Sequence, residues 1–253
     1  MKTKKTVSSK KVQPLYVLWM LTPSAIAVEL AGKHGYHGIC LDLEHGAFNR
    51  ESVDALILLG RSLGLVNYAR VAAPTRIDIQ QVLDSGGDGV ILPHIDNLAH
   101  AREICATAKY PPLGTRSVGG GRSWGWGDPP PAWVRKENRR VQCFPMIETA
   151  GALCDVDAIA ALRTVDGLFL GPADLNMAMG RRGTMGADDD ADLVTVAKAA
   201  ARAGKHWGMN VYSDRDRKIA KRHHLRLVAL QDDVTALSTS LDANIAEAKR
   251  DIG

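Results

Sequence analysis

Short apolar runs alternate along this chain with longer segments of helical period. The runs are LYVLWML (15–21), HGICLDLE (37–44), VNYARV (66–71), GVILPHI (89–95), VQCFPMIE (141–148), GLFLGPADL (167–175), HWGMNVY (206–212) and LRLVALQDD (225–233). Between them lie PSAIAVELAGKHG, NRESVDALILLGRSLG, RIDIQQVLDSGG, NLAHAREICATAKY, AGALCDVDAIAAL, DLVTVAKAAARAG and DRDRKIAKRHH, and a last amphipathic segment, VTALSTSLDANIAEAKRDI, follows the eighth run. Many helical segments close on glycine, at Gly35, Gly64, Gly87 and Gly204, as a helix C-terminus favours. Strict alternation of strand and helix predicts a parallel sheet. Eight such units in about 250 residues predict an α/β fold, a (β/α)8 TIM barrel, over residues 13–253 as one domain. A doubly wound open sheet is the alternative, but it wants a glycine-rich phosphate turn after an early strand, and the first strand has none.

One segment breaks the rhythm. Residues 111–140, PPLGTRSVGGGRSWGWGDPPPAWVRKENRR, exceed an ordinary connection. Loops above roughly 12–15 residues are usually functional or disordered. This one carries Trp124, Trp126 and Trp133, which predicts a loop that packs on something, with a plain Gly/Pro linker as the alternative.

Charge changes the picture little. The net charge of +4 sits in residues 1–11, MKTKKTVSSKK, with five lysines and no acid; the remaining 27 of 32 basic residues face 28 acids. Residues 1–12 therefore read as a disordered basic tail on a near-neutral body. Scattered basic residues interleaved with acids predict no nucleic-acid partner. The tail lacks a good cleavage site, and no run approaches a membrane span of roughly 18–20 residues. Four cysteines without CxxC pairing suit free thiols in a reducing, cytoplasmic setting.

Chemistry is expected at the C-terminal ends of the strands, where barrels of this kind place their sites. Those ends offer Trp19; Asp42, Glu44 and His45; Arg70; Pro93 and His94; Glu148; Asp174; and Tyr212, Gln231 and Asp232. In the second run Cys40, Asp42 and Glu44 share one strand face. Glu148 and Asp174 follow neighbouring strands. Two carboxylates facing one site repel unless they share a proton or a cation, and two oxygen ligands with room for water suit Mg²⁺ or Mn²⁺. The alternative is that each acid caps the helix that follows. Arg70 offers a fixed cation for a carboxylate or an oxyanion, or else a salt bridge to Asp42 or Glu44. His45 could act as a general base beside two acids. No predicted strand carries a lysine for a Schiff base. The loops after strands seven and eight, NVYSD and LQDDV, lack the glycines of a phosphate site.

WMLTPSAIAVELAGKHGYHGICLDLEHG, LDSGGDGVILPHI, YPPLGTRSVGG, MIETAGAL and GLFLGPADLN, in that order from Trp19 to Leu175, resemble the HpcH/HpaI aldolase family of metal-dependent pyruvate aldolases. The resemblance implies Glu148 and Asp174 as ligands of Mg²⁺, Mn²⁺ or Co²⁺, His45 as base and Asp42 as its acidic partner. It implies Arg70 on the pyruvate carbonyl and enolate. It implies Asp84 as an acid lent to a neighbouring subunit, and the backbone of Gly171, Pro172 and Ala173 against the pyruvate carboxylate. Trp19 joins the substrate-binding set. The small-molecule partners would be pyruvate or another 2-oxo acid and an aldehyde. The assembly would be a hexamer, a trimer of dimers exchanging residues 234–252. The chain departs from the family pattern at Met146, where Gln is common, at His94, where Met is common, and at Asn176, where Ser is common. The long loop is expected to shape the aldehyde half of the site. The rival expectations are an acyl-CoA hydroxy-acid lyase on the same barrel, or a non-catalytic binding protein.

Overall fold

In the computed structural model, which describes residues 13–119, 121–127, 131–181 and 190–252, eight parallel strands close on themselves in chain order. They are β1 (Leu15–Met20), β2 (Gly38–Asp42), β3 (Val66–Arg70), β4 (Gly89–Leu92), β5 (Gln142–Ile147), β6 (Gly167–Leu170), β7 (His206–Asn210) and β8 (Leu227–Asp232). The expected (β/α)8 barrel is therefore the fold. Residues 1–12, expected as a tail, lie outside the described residues.

Period-two alternation divides the apolar side chains between two cores. Val17, Trp19, Cys40, Tyr68, Ile91, Phe144, Met146, Phe169, Leu227 and Ala229 fill the barrel interior. Leu18, Met20, Ile39, Leu41, Ala69, Val90, Leu92 and Leu168 face outward, where helix residues such as Val28, Ile57, Ile79 and Val196 cover them. The inward rows end at the top of the barrel, β2 on Asp42 and β3 on Arg70, which are register partners.

The helices begin where the sequence supplies a cap. Ser24 caps α1 (Ala25–Lys33), Asn49 caps α2 (Arg50–Ser62), Thr75 caps α3 (Arg76–Asp84) and Asn97 caps α4 (Leu98–Ala106), each side chain accepting a backbone N–H of the first turn. Such caps contribute about 1 kcal/mol each. Past α3 the left-handed residue is Gly86, φ +97°, where the sequence pattern pointed to Gly87. Two adjacent glycines satisfy a Gly-capped end equally well, and only the chain path selects one.

Four expectations need correction. Strand two stops at Asp42, so Glu44 and His45 lie in the turn that follows. Strand six stops at Leu170; Pro172 opens a short helix, α8 (Pro172–Ala178), and Asp174 sits in its first turn. Proline cannot donate to a ladder but suits a helix start. AGALCDVDAIAAL is two helices, α6 (Ala150–Cys154) and α7 (Val156–Ala161), broken at Asp155, whose carboxylate accepts Leu98 N–H at 2.8 Å. The long loop contains a helix, α5 (Pro131–Arg140).

The described tryptophans of that loop lie at the foot of the barrel. Trp124 and Trp133 pack on each other and on Tyr110, with centroids 5.2–6.3 Å apart, and Trp124 Nε1–H donates to Tyr110 Oη at 3.0 Å. Trp126 is exposed beneath the Arg122 guanidinium. Tyr110 is anchored there because Asn138, just before β5, accepts its N–H at 2.7 Å. Beside it, Lys109 is fully buried; its ammonium meets Asp166 at 2.7 Å and donates to the carbonyls of Asn138 and Val141. The expectation that these rings shape the aldehyde half of the site fails within the chain: none lines the cleft described below.

After α9 (Asp190–Arg202) and α10 (Asp214–Arg222), the long α11 (Asp233–Asp251) ends the fold with no buried residue among those described. Val234, Leu237, Leu241 and Ile245 are exposed along it. No described helix is long and apolar enough to cross a membrane.

Lys109 ties the segment after α4 to the feet of β5 and β6. Replacing it with methionine leaves Asp166 and two carbonyls without their donor. We expect a loss of about 2–4 kcal/mol in urea unfolding, with activity of the folded fraction retained.

Candidate active site

Asp42 is the fixed point at the top of the barrel. It ends the inward row of β2 and is 1% exposed. Its Oδ1 accepts Arg70 Nε–H at 2.8 Å and its Oδ2 accepts Arg70 Nη2–H at 2.5 Å, a two-pronged pair across adjacent strands. Trp19 Nε1–H donates to Oδ2 at 3.0 Å, and the backbone N–H groups of Glu44 and His45 reach Oδ1 at 3.2 and 3.3 Å. The turn after β2 is thus folded around the carboxylate that ends the strand. Burial would push the Asp42 carboxyl up, but the Arg70 hydrogen bonds and charge, with the Trp19 and His45 N–H groups, hold it below the usual range. Burial would likewise lower Arg70, and Asp42 and Glu44 outweigh it, so the guanidinium stays charged. The Trp19 ring lies 5.3 Å from the guanidinium carbon.

Of the two readings of Arg70, the structure shows the salt bridge. The guanidinium is salt-bridged to Asp42, and its Nη1 lies 3.0 Å from Glu44 Oε2. The contact with Glu44 is close in distance but poorly aligned, since Glu44 Oε2 is buried without a hydrogen-bond partner among the described residues. The Nη1 edge is what Arg70 can still present to a ligand.

Glu148 follows β5 and is 3% exposed. Its Oε1 accepts His94 N–H at 2.5 Å. Burial raises its carboxyl above the usual value; the His94 N–H opposes this, while the Asp174 and Glu44 charges add to it. A Cβ at 171 would meet Glu148 Oε2 at 2.6 Å and Glu148 Cβ at 2.9 Å, so any residue larger than glycine would push the carboxylate aside. His94 adopts φ +53° and brings its ring over the carboxylates, Nε2 lying 2.6 Å from Glu44 Oε1.

A cleft of about 620 Å³ opens above these groups, lined by Trp19, Arg70, Gly171–Asp174, Asn210 and Tyr212. His45 lines it too, with its ring mostly exposed and Nε2 3.9 Å from Glu44 Oε1. Gly171 N–H is spent on Ile147 O and Pro172 has none, so Ala173 is the residue of that trio with an N–H to offer. Among the described residues no lysine lines the cleft.

The donors suit a hard divalent cation. Glu148 and Asp174 offer oxygen donors, and the raised Glu148 carboxyl, pushed up further by the Asp174 and Glu44 charges, marks a place short of positive charge. Among the described residues no three His, Cys, Asp or Glu side chains close around one point, so such a site would be open to water and ligand.

Asp84 lies elsewhere, at the C-terminal end of α3, bonded to Arg116 at 2.8 Å. The chain's own cleft does not include it. Residues the sequence reading passed over are Asn210 and Arg215 on the rim and the pairing of His94 with Glu44. Asn210 was legible in principle, since it shares the inward face of β7 with Gly208. Of the departures from the family pattern, Met146 lines the cleft and Asn176 is buried with its amide nitrogen lacking a hydrogen-bond partner among the described residues.

The site has known relatives. A sequence model of the HpcH/HpaI aldolase/citrate lyase family matches residues 15–226. A hydroxypyruvate/pyruvate aldolase of Delftia acidovorans is 29% identical over 93% of this chain and 88% of its own length. One of the same name from Pseudomonas aeruginosa is 31% identical over 88% of this chain and 84% of its own. The crystal structure of an HpcH/HpaI aldolase from Desulfitobacterium hafniense superposes with a TM-score of 0.86 at 27% identity, covering 93% of each chain. The clamped arginine and the two carboxylates thus stand on a matched frame, and the chain belongs to the HpcH/HpaI aldolase/citrate lyase family.

Proposed function

We propose that this chain is a divalent-metal-dependent aldolase that makes or cleaves 4-hydroxy-2-oxo acids, joining the enolate of pyruvate or a related 2-oxo acid to an aldehyde. The observation that carries the reading is one cleft lined by the Asp42-clamped Arg70 and by Asp174, with the Glu148 carboxyl, raised by burial, packed behind Gly171 of its lining.

A cation held by Glu148 and Asp174 would supply Lewis acidity to the keto oxygen of the 2-oxo acid. The chain's own residues do the rest. Arg70 Nη1 presents its N–H groups where negative charge collects on the enolate oxygen, and Asp42 keeps the guanidinium from following the ligand. Ala173 N–H can take one carboxylate oxygen. In the cleavage direction His45 takes the proton of the C4 hydroxyl, the C3–C4 bond breaks, its electrons pass to the enolate, and a proton returns to C3. The Trp19 ring forms a flat wall, its N–H already given to Asp42. The acceptor aldehyde then falls toward Asn210 and Tyr212, the polar rim of the same cleft.

The assembly we infer is a homo-oligomer, a trimer of dimers that exchange the last helix. The exposed apolar stripe on α11 and the groove between α1 and α11, lined by Ile26, Leu30, Val234 and Leu237, support it. In such an assembly Asp84 can reach a neighbour's site.

Three outcomes are expected. EDTA abolishes pyruvate-dependent aldol cleavage and Mg²⁺, Mn²⁺ or Co²⁺ restores it, while borohydride traps no adduct; full activity in EDTA, or a trapped adduct, overturns the metal mechanism. His45→Ala lowers kcat by about 10²–10⁴-fold with metal affinity by calorimetry unchanged; wild-type turnover would move the base elsewhere. Leu241→Asp on the α11 stripe shifts the sedimentation profile toward monomer, and an unaltered profile removes that helix from the interface.

A further inference from the structure

His94 stands just past β4, and its backbone is held at φ +53°, a conformation few residues other than glycine adopt. Asn and His tolerate it better than most. The strain serves a contact: the same turn that reverses the ring also aims His94 N–H at Glu148 Oε1, 2.5 Å away. The ring then lies between two carboxylates. Nε2 is 2.6 Å from Glu44 Oε1, and Nδ1 is 3.8 Å from Glu148 Oε1.

Glu44 is tied on its other side to Arg70 and is nearly buried, so it is a fixed anchor for the imidazole. Histidines that ligate metals turn one ring nitrogen to the ion and donate the other N–H to a carboxylate or carbonyl. His94 already has the second half of that arrangement. With Nε2–H given to Glu44, Nδ1 keeps its lone pair, and it faces Glu148. Two donors of one cation, each about 2.1 Å from it, lie at most about 4.2 Å apart. The 3.8 Å between Nδ1 and Glu148 Oε1 falls within that span. The set is not closed as it stands, but the His94 side chain is 59% exposed and has room to settle onto an ion.

We propose that His94 Nδ1 is a third protein ligand of the cation held by Glu148 and Asp174, with Glu44 fixing its tautomer. The inference rests on the metal site proposed above. It has a chemical consequence: an imidazole in the set favours Co²⁺, Ni²⁺ and Zn²⁺ over Mg²⁺, which an all-oxygen set does not do as strongly.

The test is metal binding, read without turnover. Metal-stripped full-length protein is titrated with Ni²⁺ and with Mg²⁺ by calorimetry, and loaded with Cu²⁺ for electron paramagnetic resonance. Wild type shows nitrogen hyperfine coupling. His94→Asn, which keeps a side chain suited to the left-handed backbone, loses that coupling and binds Ni²⁺ about 10–100-fold more weakly, with Mg²⁺ affinity little changed. Glu44→Gln weakens Ni²⁺ in the same sense and serves if His94→Asn does not fold. Absence of nitrogen coupling in wild type overturns the proposal. So does coupling that survives in His94→Asn and disappears in His45→Ala, which assigns the nitrogen to His45. Failure of the underlying reading looks different: Glu148→Gln then binds every ion as wild type does.

Discussion

The two-pronged bond between Asp42 and Arg70 is the contact on which the top of the barrel depends. It joins the inward ends of β2 and β3, which are register partners, so the carboxylate and guanidinium meet only if the barrel closes in this register. The same carboxylate collects the Trp19 indole and the N–H groups of the following turn, which sets where Glu44 and His45 stand. Through Glu44 the order reaches His94, and through the His94 N–H it reaches Glu148. Removing either member of a buried, hydrogen-bonded pair strands the other charge, which costs far more than the pair itself contributes. The arrangement is therefore all-or-nothing, and it exists before any ligand arrives. In the mechanism proposed above, a cationic edge fixed in advance would spare the reaction the reorganisation that water would need around the developing charge.

Much of this was legible in the sequence, and the parts that were not have identifiable reasons. Eight apolar runs gave the barrel because each strand is buried on both faces and reads as an unbroken apolar stretch. The same property hid the ends of β2 and β6. Leu43 and Leu175 look like strand continuation, but they belong to a turn and a helix that also need apolar contacts. The carboxylates and Arg70 were visible as polar residues where an apolar run stops. Their partners were not, because pairing is a property of register between strands and no single strand carries it. Asp42 could have met Arg70, His45 or nothing.

The tryptophans show the limit from the other side. Their number in a Gly/Pro-rich loop said that the loop packs, and it does. What Trp124 and Trp133 pack against, Tyr110, precedes the loop and is held at the foot by Asn138 of α5. His94 was visible as a departure from a family pattern, but a pattern of residue types does not announce a backbone turned to positive φ.

The interior of the barrel is solid. Tyr68, Phe144 and Phe169 fill it below the polar layer, with Tyr68 and Phe144 meeting edge to face at 5.9 Å. The cleft is consequently closed at its floor, and among the described residues it opens at the top of the barrel, past a rim that includes Asn210 and Tyr212. A ligand on the floor against Arg70 therefore lies deeper than one at the rim. With the 2-oxo acid on the floor and the aldehyde at the rim, as proposed above, the two would form a queue, last in and first out.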